Sequence, residues 1–509
     1  MIRRAAIAGL FALLLAWAQW EELGPPKDAA ILEVATEPRL PARIYLYKDG
    51  SEFRLTPVDA VLPIRSDTFY RDTYYAKTPD PATMEVVAAD QYHYLLLKGA
   101  GRFYLPPGKY RIDAYRGMFY KPARVDFELT RGRTTQVALP LTPWTDPGKW
   151  ISADDHIHLT RARKHDPVYL SWLEAEDLTV GNFLELQRQM HAAVQYGFGR
   201  AAEARRAGYT IRSGHESRNE FWGHINILGP ERMIEPLSTG SMYANTPESY
   251  PFPSLLFAAG RKAGGVVGYA HFFERPQDSS IYMDAALGNI DFVEVFQFGV
   301  LKTKVWYELL NAGLRVTGIA GSDFPVPFTR MKPWPHWLPL LGPERALVKA
   351  RPGENSYEAW ARGVREGRVV VTNGPLVELE MQGNRATARA AFYRPLETVE
   401  IVRNGVVVAS GAGPELTAAI DDSSSCWVAA RVRARSEKGE PELWGHTNPA
   451  YLLRDGRPVR VAADRQAVAA KWQEQLAAFR AAGIAFPDEG KRREFFELAE
   501  RALAELRGP

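Results

Sequence analysis

The chain has 509 residues, 46% hydrophobic and 24% charged, with a formal net charge of +3. That length accommodates two to four domains, each able to bury its own core. So small a charge gives no support for nucleic-acid binding, which needs a clustered basic surface, and a single cysteine, Cys426, excludes an intramolecular disulfide.

Residues 1–18 read as a signal peptide. Arg3 and Arg4 precede an apolar run from Ala5 to Ala18, short for a bilayer span, and Ala16-Trp17-Ala18 fits a cleavage site. No cysteine stands nearby for lipid attachment, and no later stretch is apolar enough to span a membrane. An exported chain without disulfides fits a periplasmic or secreted protein.

Residues 31–147 show short β-patterned runs (103–105, 110–115, 124–129, 136–141) separated by Gly- and Pro-containing turns, which predicts a β-sandwich. The stretch 67–92 reads as an insertion or irregular loop, and 142–148 as a linker. From 148 to 375 strands and helices alternate. Helices are predicted over 201–207, 255–263, 304–312 and 357–366. Strands are predicted over 210–213, 266–270, 292–296, 315–320 and 368–372. This spacing implies a parallel α/β core, barrel or open sheet. In 376–460 the period returns to two, and Asn404-Gly405 between apolar runs signals a hairpin in a second β-sandwich. Residues 461–509 carry helical periodicity broken near Phe486-Pro487 and form a helical tail.

The chemistry starts at Asp154-Asp155-His156-Ile157-His158. On a strand, alternate side chains share a face, so both imidazoles can clamp one metal ion. Further candidates follow at predicted strand ends, where α/β folds bind ligands: Glu216, His224, His271 and Asp323. Singly, each has an ordinary reading: a surface acid, a turn residue, a core histidine, a helix N-cap. Together, imidazole and carboxylate donors suit one or two divalent ions, zinc, manganese or iron, without choosing among them. Asp154 and Asp155 read as partners orienting His156 or His158. Arg218 and Glu294 are possible substrate contacts, with an ion-paired role equally open. His446, far along the chain in a β region, reads as structural, and His93, His191 and His336 receive no role.

This order of motifs resembles the PHP (polymerase and histidinol phosphatase) superfamily, and more closely the CehA/McbA-like metallohydrolases, over roughly residues 145–375. Leu105-Pro106-Pro107-Gly108-Lys109-Tyr110 resembles a carboxypeptidase regulatory-like sandwich. The first resemblance implies a barrel-like metal domain between two sandwiches. In it His156, His158, Glu216 and Asp323 hold one metal, and Glu216 bridges to a second on His224 and His271. Two departures stand out. Leu178-Thr179-Val180-Gly181-Asn182 occupies the place of a Thr-Asp-His motif, and Asp323 is followed by Phe324-Pro325 where Asp-x-His is usual. Both missing histidines would serve a third metal, for which Asp177 or His165 are weak substitutes.

The resulting expectation is an exported metallohydrolase, cleaving an ester or amide in preference to a phosphoester, with Glu216 or Asp323 taking the water proton. Its substrate is a small molecule or a polymer fragment, without nucleic acid. The alternative is a non-catalytic, metal-containing protein that binds carbohydrate or peptide.

Overall fold

A computed structural model describes residues 29–53, 64–65, 74–80, 83–88, 92–188, 191–219, 221–240, 247, 249–271, 280–325, 335–351 and 356–508. Residues 1–18, read as a signal peptide, lie outside these, as does much of 67–92. His93 and His191 sit on strands whose side chains are likewise outside the described residues. No described helix is long and apolar enough to cross a membrane.

The fold is mixed α/β and rich in sheet. Near the N-terminus, Ala30–Glu37 is flanked by Thr134–Pro140 and Ala100–Leu105 in a three-stranded sheet. A second sheet runs through Ala123–Leu129, Gly108–Tyr115, Ala42–Lys48 and Tyr92–Leu97. Leu32, Val34, Ile44, Ile112, Ala114 and Leu139 form the buried cluster they share.

The part of the chain that carries the site is built on eight strands: β1 (Trp150–Ile157), β2 (Val180–Arg188), β3 (Tyr209–Asn219), β4 (Gly223–Leu228), β5 (Val266–Tyr269), β6 (Phe292–Gln297), β7 (Thr317–Ala320) and β8 (Arg345–Lys349). Hydrogen-bonded neighbours run β7-β6-β5-β4-β3-β2-β1-β8. β1–β2, β2–β3, β5–β6 and β6–β7 are parallel. The helices α1 (Asp166–Ala175), α2 (Pro253–Lys262), α3 (Ile281–Ala286), α4 (Lys304–Asn311) and α5 (Ser356–Arg365) supply connections. Every residue of β1 and of β6 is buried, as expected of strands covered on both faces.

The barrel expected from the sequence is not a closed one. β7 and β1 form no ladder, and the gap between them is spanned at one end only, by a parallel bridge of Ile157 with Phe324. There His158 N donates to Phe324 O at 2.8 Å and Phe324 N to His156 O at 3.2 Å. After Ala320 the chain runs close to β1: Gly321 lies against Asp155, where a Cβ would stand 1.9 Å from Oδ1. Asp323 then turns at φ +50°.

At its other edge the sheet continues past β8 through β9 (Val369–Thr372) to Leu443–Thr447, Cys426–Ala434 and Leu396–Arg403. A separate sheet of Leu376–Gln382, Arg385–Ala391 and Glu415–Ala419 shares a buried cluster with it, including Val377, Ala388, Ile401 and Val428. The hairpin turn holds Asn404 at φ +47° and Gly405 at φ +83°, the left-handed pair that this turn requires. Helices α6 (Ala462–Ala482) and α7 (Glu489–Arg507) form the tail. Phe479 and Phe495 pack at 5.3 Å against Trp222, which begins the approach to β4.

The predicted helix over 201–207 is absent. Arg200–Ala202 makes one 3-10 turn, and Ala204–Arg206 is a strand paired with β3. Alanine propensity yields here to sheet pairing.

The N-terminal sheets meet the α/β body through an arginine cluster at the end of α1. Arg43 Nε donates to Glu176 Oε1 at 2.9 Å, both side chains being at most 1% exposed. Arg345 donates to the backbone oxygens of Glu176 and Asp177 at 2.8 and 3.0 Å, and Arg116 to that of Glu174 at 2.6 Å. Two of these cations, Arg116 and Arg345, therefore satisfy carbonyls at the negative end of one helix dipole, while Arg43 pairs with the Glu176 carboxylate.

Candidate metal centre

The hairpin of β3 and β4 supplies Glu216 and His224. Glu216 pairs directly with Asn226, and Arg218 with His224. The sequence reading placed Glu216 in a loop after its strand. Instead β3 continues to Asn219, and the four side chains share one face of a ladder, which fixes their spacing. His156 and His158 come from the end of β1, His271 stands two residues past β5, and Asp323 three past β7.

These six side chains form two groups that share Glu216. In the first, His156 Nε2 and His158 Nε2 are 3.0 Å apart. His158 Nε2 lies 3.2 Å from Glu216 Oε2 and 3.3 Å from Asp323 Oδ1. His156 Nε2 lies 3.8 and 3.5 Å from the same two oxygens. Ligands about 2.0–2.1 Å from a tetrahedral zinc stand about 3.3 Å from one another, and these five edges scatter about that value. In the second group, Glu216 Oε1 is 2.9 Å from His224 Nδ1 and 3.5 Å from His271 Nε2, and the two nitrogens are 3.2 Å apart. Three protein ligands are the usual complement of a catalytic site with room for water.

The residues present fit a metal. Glu216 Oε1 and Asp323 Oδ1 are buried, and among the described residues no hydrogen bond is aligned on either. Such atoms are costly to bury unless a cation faces them. Burial works to raise the Glu216 carboxyl, yet Arg218 and His224 hold it well below the usual range. Burial likewise opposes the ionised Asp323, but His156 and His158 keep its carboxyl low. Both are carboxylates, as ligands must be.

The surrounding residues differ from the sequence reading. Asp154 does not touch an imidazole. Its Oδ1 accepts from the backbone N of His156 at 3.1 Å and of Ser322 at 2.9 Å, and its Oδ2 from Ser322 Oγ at 2.6 Å and Gly342 N at 2.8 Å. It thereby ties the backbone before Asp323 to that of β1. Neither Asp155 oxygen has a hydrogen-bond partner among the described residues, and burial with Glu294 nearby pushes its carboxyl well up. Glu294, offered as a substrate contact, is fully buried and accepts from His156 Nδ1 at 2.8 Å. Arg218, the other such candidate, donates from Nε to Glu216 Oε2 at 2.8 Å and is 5% exposed. Asn226 and Gln297, which the sequence did not single out, both donate to Glu294.

The place compared with a Thr-Asp-His motif also moves. Asn182 lies inside β2 and donates to Asp154 O at 3.1 Å, so the strand ends at Arg188, not near 182. Asp177 is engaged with Arg116 and Tyr209, and His165 takes part in a local turn before α1, so neither joins the cluster. His446 Nδ1 donates to Thr447 O at 2.7 Å and its Nε2 accepts from Tyr307 Oη, a buried link between α4 and the C-terminal strands. His336 stacks on Tyr45, ring centroids 3.9 Å apart.

Near Asp154 lies Glu344, buried, with Oε1 accepting from Gly299 N at 2.6 Å and no partner for Oε2 among the described residues. Burial pushes its carboxyl up to about 8. The unfolded chain loses this proton near the ordinary carboxyl range, so stability falls as pH rises from about 4.5 to 8. Glu344→Gln keeps the acceptor for Gly299 and removes the ionisation. The variant is expected to exceed the parent in stability by on the order of 3 kcal/mol at pH 8, with no advantage below pH 4.5. Denaturant midpoints at pH 4.5 and pH 8 check this, and equal midpoints at pH 8 would refute it.

No family model and no curated protein matches the chain. Two solved structures show partial likeness. One is Endonuclease Q in complex with a 27-mer duplex bearing an abasic lesion at the active site: 14% identity, TM-score 0.28, covering 43% of this chain and 57% of that one. The other is PsfC from Pseudomonas syringae: 15% identity, TM-score 0.27, covering 41% of this chain and 87% of that one. The chain thus spans little more than half of the first, and at these TM-scores neither likeness assigns an activity. The expectation that excluded nucleic acid is corrected all the same: it rested on net charge alone, and the first of these two structures is a complex with DNA. A net charge averaged over 509 residues is no measure of a local binding face.

Proposed function

We propose that the protein is a metal-dependent hydrolase of PHP type that cleaves an ester, amide or phosphoester bond. The observation that carries this is the convergence of His156, His158, Glu216, His224, His271 and Asp323 into two groups joined by one carboxylate. A divalent ion in such a group lowers the pKa of water from 15.7 toward about 7 and polarises a carbonyl or phosphoryl oxygen. Glu216, with one oxygen toward each group, would hold an ion of both, and Asp323 would take the proton of an attacking water. Arg218 neutralises part of the charge on Glu216 and holds its plane. Glu294 keeps a proton on His156 Nδ1, leaving Nε2 free to ligate.

Nucleic-acid phosphodiesters belong among the substrates to test. Export is part of the same proposal and rests on residues 1–18 alone. The decisive experiment is elemental analysis of the purified protein, followed by assays with zinc, manganese or iron on p-nitrophenyl esters, mono- and bis-p-nitrophenyl phosphate, and abasic and intact duplex DNA. Hydrolysis that requires the metal supports the reading. Protein that takes up none of the three ions refutes it, and bound metal without turnover on any substrate favours a binding protein. His158→Ala is expected to lose the metal of the first group while the far-UV circular dichroism stays unchanged. Unaltered metal content in that variant would remove His158 from the ligand set.

A further inference from the structure

Glu294, in the interior of β6, touches a member of each group, His156 of the first and His271 of the second. Four donors close on its two oxygens. His156 Nδ1 and Asn226 Nδ2 each donate to Oε1 at 2.8 Å, and the backbone N of His271 at 2.6 Å and Gln297 Nε2 at 3.2 Å donate to Oε2. A bulge between Glu294 and Phe296 returns Gln297, three residues on, to the side of Glu294. The Glu294 side chain is thus met at both oxygens, two donors to each.

The two oxygens serve different groups. Oε1 fixes the ring of His156, whose Nε2 then faces His158 and Asp323. Oε2 fixes the backbone of His271, held at φ +27°, from which its imidazole reaches Glu216 and His224. A left-handed backbone in a histidine persists only where its surroundings hold it. We infer that Glu294 is a positioning residue for both metal groups at once, so that the two are set by one buried side chain as well as by the shared Glu216. This rests on the metal-hydrolase reading above.

Glu294→Gln would turn an amide NH2 against one pair of donors whichever way it lay, releasing His156 or His271, and would take from the other pair the charge that strengthens its hydrogen bonds. The test is zinc binding to metal-free parent, Glu294→Gln and Glu294→Asp, by competition with a chelating dye, with denaturant unfolding of the metal-free forms alongside. Glu294→Gln is expected to bind both equivalents about 10- to 100-fold more weakly. Glu294→Asp keeps the charge but is one methylene too short to meet both partners, so it is also expected to weaken both equivalents. It provides the reading if the glutamine variant fails to fold. Parental affinity at either equivalent in a folded variant overturns the inference, as does a loss of metal-free stability with no loss of affinity. A parent that takes up no zinc, manganese or iron overturns the hydrolase reading and this inference with it. A parent that binds two ions beside an unaffected variant overturns this inference alone.

Discussion

Glu216→Gln is expected to abolish the two-metal centre and to lower kcat/KM at least about 10³-fold, the scale of losing metal activation of water. The amide keeps the volume and hydrogen-bonding reach of the side chain but gives up the charge that two groups share. Glu216 Oε2 is 3.2 Å from His158 Nε2, while Oε1 is 2.9 Å from His224 Nδ1. Elemental analysis should find at most one ion per chain, against two in the parent. Two ions retained at parental activity would show that Glu216 does not bridge. His158→Ala offers the contrast, since it touches the first group alone.

Glu176→Gln is expected to cost about 3–5 kcal/mol, because it leaves the Arg43 guanidinium buried without its carboxylate. The loss should appear as a lower denaturant midpoint and as earlier release of the N-terminal sheets in limited proteolysis. Arg43 also donates to Tyr45 Oη at 3.0 Å, so it cannot swing out to solvent without breaking further bonds. Replacing both partners, Arg43→Met with Glu176→Leu, is expected to recover much of the stability, since paired buried ions are often replaceable by apolar volume. A single variant within 1 kcal/mol of the parent would mean that water reaches the pair.

The candidate ligands stand out in the sequence because their types recur at predicted strand ends, and His156 and His158 share a strand face by simple alternation. Their mutual geometry does not. Glu216 and His224 are diagonal neighbours on one antiparallel ladder, which the eight-residue spacing alone does not distinguish from a loop. The supporting residues were less visible still: Asp154 meets Gly342 across 188 positions, and Glu294 meets His156 across 138. Such pairs arise from the order of strands in the sheet, which local periodicity does not encode. Asp154 and Asp155 looked alike beside the histidines, yet one binds backbone and the other lies against Gly321. Strand and helix positions fared better where apolar runs were long, as over α2 and α4. They failed at 201–207, where a short alanine-rich segment pairs with β3.

The bridge between Ile157 and Phe324 has a mechanical consequence. It joins the first strand of the α/β body to the chain leaving the seventh, and it lies between His156, His158 and Asp323. An ion held by those three would act as a clasp across the one seam the ladders leave open. Loading the site and shutting the seam would then be a single event. The backbone amides of His158 and Phe324, which carry the bridge hydrogen bonds, would report that event through slowed hydrogen exchange, without any substrate being known.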